Sequence, residues 1–216
     1  MFNNNWFVLG WLKIISKYLF IQMKLSLEVS VESSPEWVEA VMNDFDSFLQ
    51  DHANCERKAS SMAMSLVAKY PNRTEIIPEL IETAIEELEH FEDVYKVMEK
   101  RNIQLPHQIS QDIYVKKLVD KCHSGREERF RDRLLLASII ECRGAERFRL
   151  IYEALPEGEL KSFYHRLWAS EAKHGNIFVK MALLYFPEDE VYSRLDELNK
   201  IEGEILKELP IKAALH

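Results

Sequence analysis

From residue 33 onward, apolar residues recur every three or four positions, the period of a helix with one buried face. In the first long stretch Phe45, Leu49, His52, Glu56, Ala59, Ala63 and Leu66 step by four and three in alternation. Ile77, Leu80, Ala84, Glu87, Phe91, Val94 and Met98 form a second such face. Leu134, Ser138, Glu141, Ala145, Phe148, Tyr152 and Leu155 form a third, and Leu160, Tyr164, Leu167, Glu171, His174, Phe178, Met181 and Tyr185 a fourth. The pattern predicts helices over 35–69, 75–102, 111–122, 126–155, 157–185 and 188–208, with a break of the first near Gln50. Ser33 with Glu36, and Ser124 with Glu127, have capping-box spacing, and Pro35 suits a first helical turn. The expectation is an all-α fold: a four-helix bundle with two additional shorter helices.

Composition narrows this picture. A chain of 216 residues suits one large domain with a sizeable core. Gly 6 and Pro 7 are few for a many-stranded β fold with frequent tight turns. Cys55, Cys122 and Cys142 form no CxxC and no even set, which points to a reducing, cytoplasmic setting rather than a disulfide scaffold. Residues 6–21, WFVLGWLKIISKYLFI, are short for a membrane span and are interrupted by Lys13 and Lys17. They read as an interfacial helix, as a segment packed on the domain, or as an extension upstream of a start at Met23. The last reading is favoured, so residues 1–30 form an N-terminal extension, residues 31–216 the domain, and no stable membrane association is expected.

Each of the four longest stripes carries a Glu in its middle. A buried, unpaired carboxylate is costly and is protonated or coordinated instead. His90 follows Glu87 by three residues and His174 follows Glu171 by three, so each pair shares a helix face. Glu56 precedes Glu87 by 31 residues and Glu141 precedes Glu171 by 30, so the pattern Glu…ExxH occurs twice at nearly one spacing. ExxH alone is a weak signal; paired spacing, stripe placement and four long helices together make it specific. Four carboxylates and two imidazoles on facing helices are the ligand set of ferritin-like di-iron and di-manganese bundles. Four negative charges balance two divalent cations. Without thiolates, Glu56, Glu87, His90, Glu141, Glu171 and His174 suit two Fe ions, with Mn less favoured and Zn less still. His52, one turn before Glu56, reads as a satisfied core histidine or as a group behind the ligands.

Charge adds one further clue. The net charge of −8 argues against a protein that coats nucleic acid. Yet residues 116–149 hold ten basic and six acidic residues, a local +4 against −12 elsewhere. Such a stretch suits a phosphate-rich partner or, more simply, a salt-bridged helix face.

The segments DHANCERKASSMAMSL (51–66), AIEELEHFEDV (84–94), RDRLLLASIIECRGAERF (131–148), FYHRLWASEAKHGNIF (163–178) and the ending LPIKAALH resemble the bacterial tRNA hydroxylase family over about residues 31–216. The resemblance implies a ferritin-like non-haem di-iron monooxygenase. It would hydroxylate the isopentenyl group of 2-methylthio-isopentenyl-adenosine beside the anticodon, with O2 as co-substrate. It carries Glu56, Glu87, His90, Glu141, Glu171 and His174 over as iron ligands. Many di-iron enzymes place an Asp just before the second Glu of each pair; here those positions are Glu86 and Ser170. The tRNA needs cations, for which Arg126, Arg129, Arg131 and Arg133 stand nearest, and the prenyl chain needs an apolar channel. Electrons must come from a separate reductase or ferredoxin, since no flavin, nicotinamide or Fe–S motif is visible. The competing readings are another ferritin-like oxidase, such as a manganese catalase or ferroxidase, and a metal-free helical adaptor.

Overall fold

The computed structural model describes residues 28–107 and 112–215, and these fold into seven helices without a strand. They are α1 (Pro35–Asn43), α2 (Phe45–Lys69), α3 (Ile77–Lys100), α4 (Ile113–Val119), α5 (Arg126–Ala154), α6 (Glu159–Leu183) and α7 (Glu188–Glu208). The N-terminal run 6–21 lies outside the described residues. The first long helix breaks at Asp44 rather than Gln50. Asp44 ends α1 and caps α2, its carboxylate accepting from Ser47 N at 3.2 Å. This split adds a third shorter element beside α4 and α7. Ser34, not Ser33, caps α1. Ser33 turns instead to Glu146, which accepts from its N–H at 2.9 Å and its hydroxyl at 2.8 Å. At α5 the capping position is Gly125, with no side-chain cap bond.

α2 packs along α3, and α5 along α6, as two antiparallel hairpins joined by the long crossover that carries α4. α7 lies across α5 and α6, and α1 bridges α2 and α5. The apolar core is divided. One cluster takes Ala63, Leu66, Leu80, Ala84, Leu134, Ile139, Ile177 and Phe178 with residues of α4 and α7. The other takes Phe48, Leu49, Ala53, Val94, Met98, Phe148, Ile151, Tyr164 and Leu167 with Trp37 and Leu215. Burying each Leu or Phe side chain is worth about 1.5–3 kcal/mol. On all four long helices the predicted Glu falls in the gap between the clusters, so the stripes are core faces interrupted by one polar layer.

The chain ends of the described region are tied down across the bundle. Ser30 N donates to Asn199 Oδ1 at 3.1 Å and its hydroxyl to the Asn199 carbonyl at 2.7 Å. Arg143 Nη2 donates to the Val31 carbonyl at 2.6 Å. At the other end Leu215 N donates to Asp51 at 2.7 Å and Trp37 Nε1 to the Ala214 carbonyl at 3.0 Å. Among the described residues no helix is long and apolar enough to cross a membrane.

Candidate metal centre

The i, i+3 spacing on α3 and α6 aims both Glu–His pairs inward, where α2 and α5 each add one Glu. Glu56, Glu87, Glu141, Glu171 and His174 are buried, and His90 is nearly so. Their donor atoms form two groups, each within 4.8 Å: Glu56, Glu87, His90 and Glu171, and then Glu87, Glu141, Glu171 and His174. Glu87 and Glu171 belong to both. All six predicted residues are therefore brought together, in two overlapping sets with the two ExxH carboxylates at the shared centre.

The donors crowd together without pairing off. His174 Nδ1 lies 2.8 Å from Glu87 Oε1 and 3.6 Å from Glu171 Oε2. His90 Nδ1 lies 3.2 Å from Glu171, 3.5 Å from Glu87 and 3.8 Å from Glu56. Yet both oxygens of Glu87, Oε1 of Glu171, and Nδ1 of both histidines are buried with no aligned hydrogen-bond partner. Such groups are expensive to leave unpaired. Oxygen and nitrogen donors converging without mutual hydrogen bonds fit a pair of divalent cations.

The titration behaviour has the same cause. Burial raises Glu56 and Glu141 and pushes Glu87 up to about 7, where Glu171 adds to the rise. Burial also acts on Glu171, but the close approach of Glu141, His174 and His90 outweighs it and holds that carboxyl well below its ordinary range. For His174, burial is outweighed by Glu171 and Glu87, which lift the ring to about 11; His90 moves the same way. The cluster demands positive charge, and in the absence of cations it takes protons.

Two groups stand behind the cluster. Glu86 Oε2 lies 2.6 Å from His174 Nε2, and Glu86 Oε1 accepts from Lys173 Nζ at 3.0 Å. A carboxylate thus occupies the place behind the imidazole that orients metal-bound histidines. Glu86 was legible only as a departure from the Asp that many di-iron enzymes place before the second Glu; its contact with His174 across the bundle was not. His52 Nε2 lies 2.6 Å from Glu56 Oε1 and Nδ1 3.2 Å from the Tyr164 hydroxyl. Burial takes its pKa down to about 3, so the ring is neutral. Tyr164 read only as a core position. Cys55 and Cys142 belong to neither donor group.

Three of the ten basic residues in the stretch 116–149 are internal: Arg131, Arg143 and Arg147. Arg143 is fully buried against Glu202, with contacts of 2.8 and 2.9 Å, and against Glu146 at 3.0 Å. Arg147 is buried against Ser33 and the Leu215 carbonyl. Arg131, expected to face RNA, is buried and paired with Asp132 and Glu190. It is part of the α5–α7 packing rather than a free cation. Arg126 is exposed, and Arg129 and Arg133 are partly so. A cleft of about 750 Å³ lies outside α2, between residues 31–34 and the C-terminal tail, and none of the six cluster residues lines it.

Two Glu–x–x–His helices facing two Glu-bearing helices across one bundle core are the arrangement of ferritin-like carboxylate bundles. The chain is of that class, and a solved Synechococcus protein described as having aldehyde deformylating oxygenase activity superposes on it with a TM-score of 0.82 at 30% identity, covering 87% of this chain and 94% of that one. Within the class the chain belongs to the family described as tRNA-(MS[2]IO[6]A)-hydroxylase (MiaE), whose sequence profile matches residues 22–216. It is 34% identical over 171 residues to the tRNA 2-(methylsulfanyl)-N(6)-isopentenyladenosine(37) hydroxylase of Pseudomonas putida, spanning 79% of this chain and 82% of that protein. It is 29% identical over 132 residues to the enzyme of the same name from Salmonella typhimurium, spanning 61% of this chain and 48% of that protein.

Proposed function

We propose that this protein is an oxygen-dependent di-iron monooxygenase that hydroxylates the isopentenyl group of 2-methylthio-isopentenyl-adenosine beside the anticodon of tRNA. The observation that carries the reading is the pair of overlapping donor groups sharing Glu87 and Glu171, in a chain of the tRNA hydroxylase family. Glu56 and His90 would hold one iron, Glu141 and His174 the other, and Glu87 and Glu171 would touch both. When bound and reduced, the iron pair supplies the chemistry that splits O2 with two external electrons and two protons, placing one oxygen atom in an allylic C–H bond and releasing the other as water.

The chain's own residues set the conditions for that step. Four carboxylates neutralise two divalent cations, so the polar layer carries no net charge through the core. Glu86 and His52 hold the His174 ring and the Glu56 carboxylate in place. The two apolar clusters on either side keep bulk water from the layer. The catalytic unit is residues 31–216, with 28–30 tied to it through Asn199. A separate reductase or ferredoxin supplies electrons, the setting is the cytoplasm where tRNA is found, and Arg126, Arg129 and Arg133 are the cations offered to the RNA backbone.

Nucleoside mass spectrometry on tRNA from cells lacking the protein tests the reading. The hydroxylated prenyl-adenosine is expected to disappear and its unhydroxylated precursor to accumulate, with recovery by the wild-type gene but not by Glu56→Ala, Glu141→Ala. Persistence of the hydroxylated nucleoside, with no second enzyme making it, overturns the substrate. Purified protein holding no more iron or manganese than that double variant overturns the metal reading. Manganese in place of iron redirects it to a catalase-like oxidase.

A further inference from the structure

The two halves of the cluster match in ligand type but not in what stands behind them. His52 lies one turn before Glu56 on α2, wholly buried, its ring centroid 4.7 Å from Phe148, 5.7 Å from Tyr164 and 5.8 Å from Phe48. Its Nε2 lies 2.6 Å from Glu56 Oε1, and a carboxylate oxygen only accepts, so Nε2 carries the proton. With that proton on Nε2, the other ring nitrogen, Nδ1, is placed to accept from the Tyr164 hydroxyl, 3.2 Å away. The result is a directed chain from α6 through α2 into the cluster: Tyr164 O–H to Nδ1, then Nε2–H to Glu56 Oε1. It occupies one oxygen of Glu56 and leaves Oε2 facing the donors. Glu141, the counterpart in the other half, has Ala137 four residues earlier, which offers no polar group. The neighbouring Ser138 hydroxyl is buried with no hydrogen-bond partner.

We propose that His52, held by Tyr164, is a positioning residue that fixes the Glu56 carboxylate for one of the two cations only, so that the two metal sites are chemically unequal. The proposal rests on the di-metal reading above. It assigns a function to a histidine that a plain bundle core would not need: the rings around it would pack equally well on a leucine.

The test reads metal affinity on the full chain, apart from turnover. Co(II) is titrated into metal-free protein and followed by its d–d absorption, then Fe(II) under anaerobic conditions against a competing chelator. Wild type is expected to bind two cations. His52→Leu is expected to weaken one of them by about 10–100-fold and to leave the other unchanged, which is the usual cost of losing a group behind a ligand. His52→Gln keeps an N–H near Glu56 and is expected to restore most of that loss. Tyr164→Phe, which removes a single oxygen, is expected to weaken the same cation by less. A folded His52→Leu that binds both cations normally, or loses both equally, overturns the proposal, as does a His52→Gln no better than it. Should His52→Leu fail to fold by far-UV circular dichroism, unchanged binding in Tyr164→Phe overturns it instead. Wild type that binds no cation refutes the di-metal reading itself, a different result from any of these.

Discussion

Glu87 and Glu171 each offer oxygens to both donor groups, while Glu56, His90, Glu141 and His174 each serve one. The division was not visible in the residues, since all four Glu occupy equivalent stripe positions. It follows from geometry: the ExxH helices α3 and α6 bring their carboxylates to the middle of the layer. The protonation of these groups gives a testable pH dependence. Glu87 is raised from the ordinary 4.5 to about 7, and Glu56 and Glu141 are raised as well. Without metal the folded state therefore holds more protons than the unfolded one from about pH 4.5 to 7, and stability falls as pH rises through that window. His174, raised from 6.5 to about 11, acts alike: its contribution is full below 6.5 and is lost as pH climbs through about 11. Glu171 runs the other way, its contribution present above 4.5 and lost as pH falls through its lowered value. Cations replace the protons taken up by the raised groups. Thermal-shift measurements are thus expected to show a larger rise in Tm on adding Co(II) at about pH 8 than at about pH 6, with protons released on binding.

At the scale of elements, the four long helices and their inward faces were legible because a 3.6-residue period survives any arrangement of neighbours. Helix starts were less so. Ser33 has the right neighbours for a cap, but its hydroxyl and N–H are spent on Glu146, 113 residues away. The α5–α6 contact shows how closely two helices approach. A Cβ on Gly175 would lie 2.5 Å from Cys142 Sγ and 3.4 Å from the Ser138 carbonyl. Overpacking of this kind costs about 1–3 kcal/mol, offset by about 1 kcal/mol of helix propensity on replacing Gly. Gly175→Ala is expected to lower stability in urea denaturation of the metal-free protein. Adding Cys142→Ala is expected to recover the loss, because the thiol is the nearest obstacle.

Over the whole molecule, buried charge ties the chain ends to the bundle. Arg143 joins α5 to Glu202 of α7 and to the strap at Val31, and a Cβ on Gly203 would strike Val31 Cγ2 at 2.6 Å. Arg143→Met leaves Glu202 buried without its charged partner, with only the Tyr114 hydroxyl donating to it at 2.9 Å. It is expected to cost about 3–5 kcal/mol in chemical denaturation, the usual price of breaking a buried pair from one side. The same packing revises the charge argument. Of the ten basic residues in 116–149, Arg131, Arg143 and Arg147 are internal, so fewer cations face solvent than the count suggests. Arg126→Ala, Arg129→Ala and Arg133→Ala are each expected to reduce the salt slope of tRNA binding by about 1. Arg131→Ala is expected to lower stability and leave the slope unchanged.

By itself the sequence determined the helices, the inward faces and the six donors, since periodicity and the i, i+3 pairing of Glu with His are local properties of one helix. Only the tertiary structure decided which carboxylates are shared, that Glu86 backs His174 and His52 backs Glu56, and which arginines face inward. Apart from the one-turn His52–Glu56 contact, these relations join residues far apart in the chain, 59 positions for Arg131–Glu190, 88 for Glu86–His174 and 114 for Arg147–Ser33. Their distances depend on how the hairpins pack, and no period along the chain records that.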